Sequence, residues 1–334
     1  MKPSLDVYGI GHALVDMEWS VDDAFLTQAG LEKGRMTLVD FARQEELMAL
    51  LAGTAPRRGA GGSAANSLYA LARLGSRGFF SCRVAGDETG AFFAGELLQH
   101  GVENDLHQHP RPGHTGRCLV LITPDAERTL CTCLGASEEF AQGDLIPQRL
   151  SSARWLYVEG YLVTNPVTLE TAAEAVRLAR QSGVKVALTC SDVSMVRFFR
   201  AGLEGLLEGG VDLLFANADE ACALADSRDL SVALQRLEGM ARQGAVTLGR
   251  DGAALWEAGK RWQIPGLPVT AVDTNGAGDI FAGTFLHGLC QNWTVPQAGE
   301  FACRAAARLV TQRGARLSPD DMDSLRRTQP RNLS

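Results

Sequence analysis

Residues 269–283, VTAVDTNGAGDIFAG, set an apolar run, a glycine-rich turn and the start of a helical pattern side by side. At such a helix N-terminus the backbone N–H groups of Gly276, Ala277 and Gly278 face outward, and the helix dipole favours an anion such as a transferring phosphoryl group. Asp279 follows in the first helical turn. There a carboxylate can accept a proton from an attacking hydroxyl while the amides hold developing charge. The same carboxylate is also ordinary helix-capping chemistry, and short glycine motifs recur without function.

Four further clusters bear chemistry. In GIGHALVD, Asp16 follows the first apolar run, a place where a carboxylate can take two sugar hydroxyls. In GAGGSAANSLYALARLG, residues 59–75, Gly61 and Gly62 allow a polyol to approach and Asn66 supplies amide donors and an acceptor. That stretch also satisfies GxGxxA at Gly59, Gly61 and Ala64, which motivates a nicotinamide-dependent oxidoreductase; TAPRR precedes it instead of a strand, so the required context is missing. In NADE, Asn217 and Glu220 share a helix face and can order water around Mg²⁺, or form a capping box. TLGRDG offers Thr247, Gly249 and Gly252 to nucleotide phosphates, and a plain hairpin fits the same residues.

These clusters need a scaffold that brings them together. Short β-branched runs at residues 6–10, 79–84, 155–159, 184–189, 213–216, 246–248 and 270–272 alternate with helical patterns at 63–74, 90–100, 168–182, 230–242, 277–290 and 297–312. That rhythm predicts an α/β, doubly wound, mostly parallel sheet with helices on both faces. Residues 13–42 and 114–135 instead show period-two alternation, the latter around a turn at Pro124-Asp125, and predict a small β lid. With no linker and no repeat, the expectation is one unit over 1–334 carrying these two insertions.

Composition narrows the chemistry. The chain of 334 residues has 32 Lys and Arg against 39 Asp and Glu, a net charge of −7, which argues against a nucleic-acid partner. No apolar run reaches membrane-spanning length and no signal segment is evident, so a cytoplasmic location is expected. Eight cysteines without a CxxC pair read as buried thiols. His12, His100, His107, His109 and His114 read as surface-loop residues, and neither a Walker motif, GxSxG nor HExxH occurs.

The order Asp16, GGSAAN, NADE, TLGRDG and DTNGAGD, spread end to end, resembles the ribokinase/PfkB family of carbohydrate and nucleoside kinases. The resemblance implies a ribokinase-like fold that transfers the γ-phosphoryl group of ATP, with Mg²⁺, to a primary hydroxyl of a small molecule. It implies Asp279 as general base and Gly276, Ala277 and Gly278 as anion hole. Asp16, Gly61, Gly62, Asn66 and Glu159 would hold substrate, Asn217 and Glu220 would lie near Mg²⁺ and phosphate, and Thr247, Gly249 and Gly252 would lie by ATP. Asp273, Asn275, Gly314 and Ser318 occupy positions comparable with a monovalent-cation loop, which would take K⁺. The hairpin TPDAERTLCTCLGAS, with GGSAAN and VEGYLVT, is similar to the adenosine-kinase branch, in which the ribose 5′-hydroxyl is phosphorylated. Other sugars or nucleosides (ribose, fructose, inosine) are the second reading, and either a monomer or a homodimer would be compatible. A purine needs an apolar slot, for which the lid offers Leu119, Leu121, Leu134 and Phe140. Arg117 or Arg128 would bring positive charge over the phosphates, with Arg128 read as solvated beside Glu127.

Overall fold

The strand Ala153–Val158 shows how the body is layered, because its side chains alternate between two separate cores. Trp155 and Tyr157 enter one cluster, Leu156 and Val158 the other. Such a strand is apolar on both faces, as a central strand of a covered parallel sheet must be. The computed structural model describes residues 4–330 apart from 110 and 126, so position 126 of the expected 114–135 insertion lies outside the described residues.

The main sheet has nine strands, in the spatial order Lys260–Ile264, Ala253–Glu257, Gln243–Thr247, Leu213–Asn217, Lys185–Thr189, Ala153–Val158, Leu5–Ile10, Gly78–Ser81 and Val102–Glu103. All neighbours are parallel except the two pairings that involve Ala253–Glu257. Helices cover both faces. Ser63–Arg73, Ala277–Cys290 and Val295–Leu309 pack on one, and Pro166–Gln181, Arg200–Glu208 and Leu230–Glu238 on the other.

A second sheet of five strands runs Met36–Leu38, Arg128–Gly135, Thr115–Ile122, Leu14–Ser20 and Arg57–Gly61. The Thr115–Ile122 and Arg128–Gly135 pair is the expected antiparallel hairpin. Residues 13–42 depart from expectation: between their two strands lies the helix Asp23–Gln28, capped by Asp22, whose carboxylate accepts from Phe25 N at 2.8 Å. The sheet also recruits Arg57–Gly61, which reads as loop from its arginines but is an edge strand, where charged side chains are tolerated. That strand belongs to the small sheet and runs antiparallel, so Gly59, Gly61 and Ala64 still lack a dinucleotide-binding βαβ context.

The expected strand at 270–272 does not form. Lys260–Ile264 forms that edge of the sheet, and Val272 N and Asp273 N donate to the single carbonyl of Val310, at 2.7 and 3.2 Å, instead of to a neighbouring strand. Two helices meet closely where the site will lie. A Cβ on Gly283 would strike the Ser67 backbone, so glycine lets the Ala277–Cys290 and Ser63–Arg73 helices touch backbone to backbone. Phe215 adds edge-to-face contacts with Phe281 and Phe285, centroids 6.5 and 5.6 Å apart, which fix the first of these helices against the sheet.

Candidate active site

Gly276 caps the Ala277–Cys290 helix in the left-handed region, at φ 73°. A Cβ there would be strained and would also strike the Ala315 backbone, whereas a Cβ on Gly278 would meet nothing within 4 Å. The first amides of this helix therefore open onto a cleft of about 820 Å³ at the carboxyl ends of the main-sheet strands. That opening fits an anionic phosphoryl group.

Asp279 stands on the cleft wall, held from the neighbouring helix. Ser63 Oγ donates to its Oδ1 at 2.6 Å, Asn66 Nδ2 donates to its Oδ2 at 2.9 Å, and Ser67 Oγ donates to its main-chain oxygen at 3.0 Å. Desolvation raises its pKa, and the hydrogen bonds from Ser63 and Asn66 oppose that rise. A carboxylate so placed retains free lone pairs for a hydroxyl proton.

Asp16, on the strand Leu14–Ser20, lies across the same cleft with its pKa raised by desolvation to about 7. Gly61 does not line the cleft: its missing side chain makes room for the Asp16 carboxyl, which would lie 2.5 Å from a Cβ. Gly62 does line it, at φ 94°, and leaves the N-terminus of the Ser63–Arg73 helix without a side-chain cap. Glu159 fills that role. Its carboxylate accepts from Ala64 N at 2.8 Å and His12 N at 3.3 Å, and burial pushes its pKa up to about 8. Glu159 thus ties the loop at His12 to the N-terminus of the Ser63–Arg73 helix. His12 is buried beside it with a pKa lowered by desolvation to about 4, which corrects its reading as a surface residue.

At the other end, Asn217 and Glu220 form a complete capping box, with Asn217 Oδ1 accepting from Glu220 N and Glu220 Oε2 accepting from Asn217 N, both at 2.9 Å. Both also line the cleft, and burial raises the Glu220 pKa to about 7. Thr247 and Gly249 line it too, whereas Gly252 closes the hairpin behind them, where a Cβ would strike the Ile264 carbonyl. Among the described residues no three His, Cys, Asp or Glu side chains cluster as a metal-ligand set. The fit is to an ion such as Mg²⁺ that takes most of its ligands from water and phosphate.

Three of the four residues of the cation loop gather on the Asp273 carboxylate, and Ser318 does not join them. Asp273 Oδ2 accepts from Gly314 N at 2.8 Å and faces Arg128 Nη2 at 2.9 Å, Asp273 Oδ1 accepts from Asn275 N at 3.0 Å, and Ser318 Oγ turns away to Asp321. With a guanidinium on Asp273, these residues do not fit K⁺ in this conformation.

Arg128 is 15 % exposed and lines the cleft, so it is no solvated hairpin arginine; the exposed Glu127, just before the strand Arg128–Gly135, does not share its surroundings. Arg117 instead points away, to Gln44 and Glu45. Of the four lid candidates for an apolar slot only Leu134 faces the cleft, joined by Leu14, Met36, Val120 and Leu130; Leu119 and Leu121 are turned into the opposite core and Phe140 lies in the main body. Sequence reasoning missed Ser63, which GGSAAN contains, and Arg316, whose Nε donates to Asn66 Oδ1 at 2.7 Å and which no local motif marks.

Residues 34–322 match the family model described as pfkB family carbohydrate kinase. The chain is 27 % identical over 265 residues to a ribokinase of Haemophilus influenzae, covering 77 % of this chain and 83 % of that one. Among solved structures, a probable sugar kinase of Rhizobium etli superposes with a TM-score of 0.86 at 31 % identity, covering 97 % of this chain and 98 % of that one. The adenosine kinase of Sinorhizobium meliloti gives 0.85 at 32 % identity, covering 96 % and 98 %.

Proposed function

This chain belongs to the pfkB family of carbohydrate kinases, and from that premise we propose that it phosphorylates the 5′-hydroxyl of adenosine with ATP. The observation that carries the chemistry is Asp279, set by Ser63 and Asn66 beside the open amides of Gly276, Ala277 and Gly278. Asp279 takes the hydroxyl proton, and a pKa raised from its ordinary value suits a base working near neutrality. The amides hold the charge that spreads over the transferring phosphoryl group. Asp16 orients the substrate hydroxyls. Asn66 has one uncommitted N–H for the same task, since its oxygen and its other N–H are taken.

Nucleotide would lie along Thr247, Gly249 and Asn217, and Glu220 would hold Mg²⁺ through water. Bound there, Mg²⁺ would supply positive charge that neutralises phosphate oxygens. Arg128 adds positive charge from the lid once it exchanges Asp273 for phosphate oxygen.

Adenosine is favoured by the S. meliloti likeness and by the apolar lid wall of Leu14, Val120, Leu130 and Leu134, which suits a flat base beside a sugar. A sugar acceptor is the second reading, favoured by the ribokinase relative. Incubation with ATP, Mg²⁺ and adenosine, inosine, ribose or fructose, read by ³¹P NMR of the product, tests both. Adenosine 5′-monophosphate as the fastest-formed product supports the proposal. Faster turnover of ribose or fructose transfers it to the sugar reading, and no acceptor-dependent product overturns it.

A further inference from the structure

A four-member chain of side chains runs inward from the surface to the base. Glu96 Oε1 accepts from Arg316 Nη1 at 3.1 Å, Arg316 Nε donates to Asn66 Oδ1 at 2.7 Å, and Asn66 Nδ2 donates to Asp279 Oδ2 at 2.9 Å. Glu96 is itself anchored, its Oε2 accepting from Ala60 N at 2.5 Å. Arg316 is 14 % exposed and lies over the Tyr69 ring, 4.9 Å from its centroid. The members come from the helix Glu88–Gln99, the loop after Val295–Leu309, and the helices Ser63–Arg73 and Ala277–Cys290.

Hydrogen-bond chemistry makes this chain directional. A guanidinium has five N–H donors and no acceptor, so it can face only the oxygen of the Asn66 amide. The amide nitrogen must then face Asp279. Replacing Arg316 by a group that neither donates nor carries charge leaves the amide oxygen without its partner, so the amide is held by Asp279 alone and less firmly. It also removes a positive charge that favours ionised Asp279.

We propose that Arg316 is a positioning residue for the phosphoryl-transfer reaction, which fixes the Asn66 amide so that it donates to Asp279 and which keeps that carboxylate ionised. This rests on the kinase reading above. Other groups also face Asp279: Ser63 and Asn66 from the helix Ser63–Arg73, Asp16 from the strand Leu14–Ser20, and Tyr157, Glu159 and Tyr161 from the strand Ala153–Val158 and the turn that follows it. Asp16 and Glu159 oppose ionisation of Asp279 when they are charged, and Arg316 is the cation among these groups.

The test compares Arg316→Met, Arg316→Lys and Glu96→Gln by the pH profile of kcat and, without turnover, by ¹³C NMR titration of the Asp279 carboxyl, assigned with Asp279→Asn. Arg316→Met moves the acid limb of kcat and the carboxyl titration up by roughly one pH unit. Arg316→Lys keeps charge and donor-only chemistry and brings both most of the way back. Glu96→Gln removes the anion that balances Arg316 and moves both downward. Unmoved titrations in Arg316→Met and Glu96→Gln overturn the proposal, as does an Arg316→Lys variant no better than Arg316→Met. If Arg316→Met does not fold, Glu96→Gln and Arg316→Lys decide by the same two readouts: opposite or absent shifts from those stated overturn it. A wild-type chain without kinase turnover but with the stated NMR shifts would instead sink the kinase reading and leave the electrostatic link standing.

Discussion

Arg128 of the small sheet and Asp273 of the loop before the Ala277–Cys290 helix face each other as an ion pair, Nη2 to Oδ2 2.9 Å. Glu18, at 3.8 Å, is the second carboxylate near the same guanidinium. The pair ties the small sheet to the loop before the Ala277–Cys290 helix, and both residues line the same cleft as Gly276, Ala277 and Gly278. At 15 % and 12 % exposure, neither side chain is well solvated, so removing one partner leaves the other charge uncompensated.

Arg128→Met is therefore expected to lower the melting temperature and to cut kcat/KM for ATP by about ten-fold or more, because a phosphate-facing cation is lost. Adding Asp273→Asn should recover most of the stability and none of the activity. Thermal unfolding and initial rates on the two single variants and the double variant check this. Full recovery of activity in the double variant would show that Arg128 acts only by neutralising Asp273.

Two glycines of the cradle should behave differently. Gly276→Ala places a side chain at positive φ and against Ala315 backbone, so it should destabilise the fold, read as a clear drop in melting temperature. Gly278→Ala adds a methyl in open space facing the cleft, so melting should hold while kcat falls by about ten-fold or more through obstruction of the phosphoryl path. Equal melting temperatures for the two, or unchanged kcat in Gly278→Ala, would count against this cradle.

How much of this was legible in the sequence depends on range. The turn at Gly276, the cap by Gly62 and the carboxylate after GAG are local chemistry, and DTNGAGD and GGSAAN point to them directly. Arg316 is not local. It sits alone in a loop, and its meaning comes from Asn66 and Glu96, 250 and 220 positions away. Arg128 was misread from Glu127, which lies exposed just before the strand Arg128–Gly135, whereas Arg128 lines the cleft. The β-branched run at 270–272 failed as a strand because the backbone N–H groups of Val272 and Asp273 are taken by the Val310 carbonyl, a long-range partner that no local pattern marks. Gly61 and Gly252 were assigned to ligands, yet one accommodates Asp16 and the other a hairpin turn.

Asp16 makes a contribution to stability that falls with rising pH. Its folded pKa of about 7 lies above the ordinary carboxylate value of 3.8, so the folded state holds the proton more tightly than the unfolded chain. That contribution is fully present below pH 3.8 and is lost as pH rises through about 7. Asp16→Asn should therefore be more stable than the unaltered protein, by a margin that grows from pH 5 to pH 8, while turnover collapses. A melting-temperature difference independent of pH would contradict the sign.

The central claim is that Asp279 is the base for phosphoryl transfer from ATP. The direct measurement is the initial rate of adenosine-dependent ADP release by Asp279→Asn against the unaltered protein, with circular dichroism to confirm equal folding. The isosteric amide keeps the Ser63 side of the site but cannot take a proton, so kcat should fall by roughly 10²-fold or more with KM for ATP little changed. Near-equal kcat in a folded Asp279→Asn variant would contradict the account.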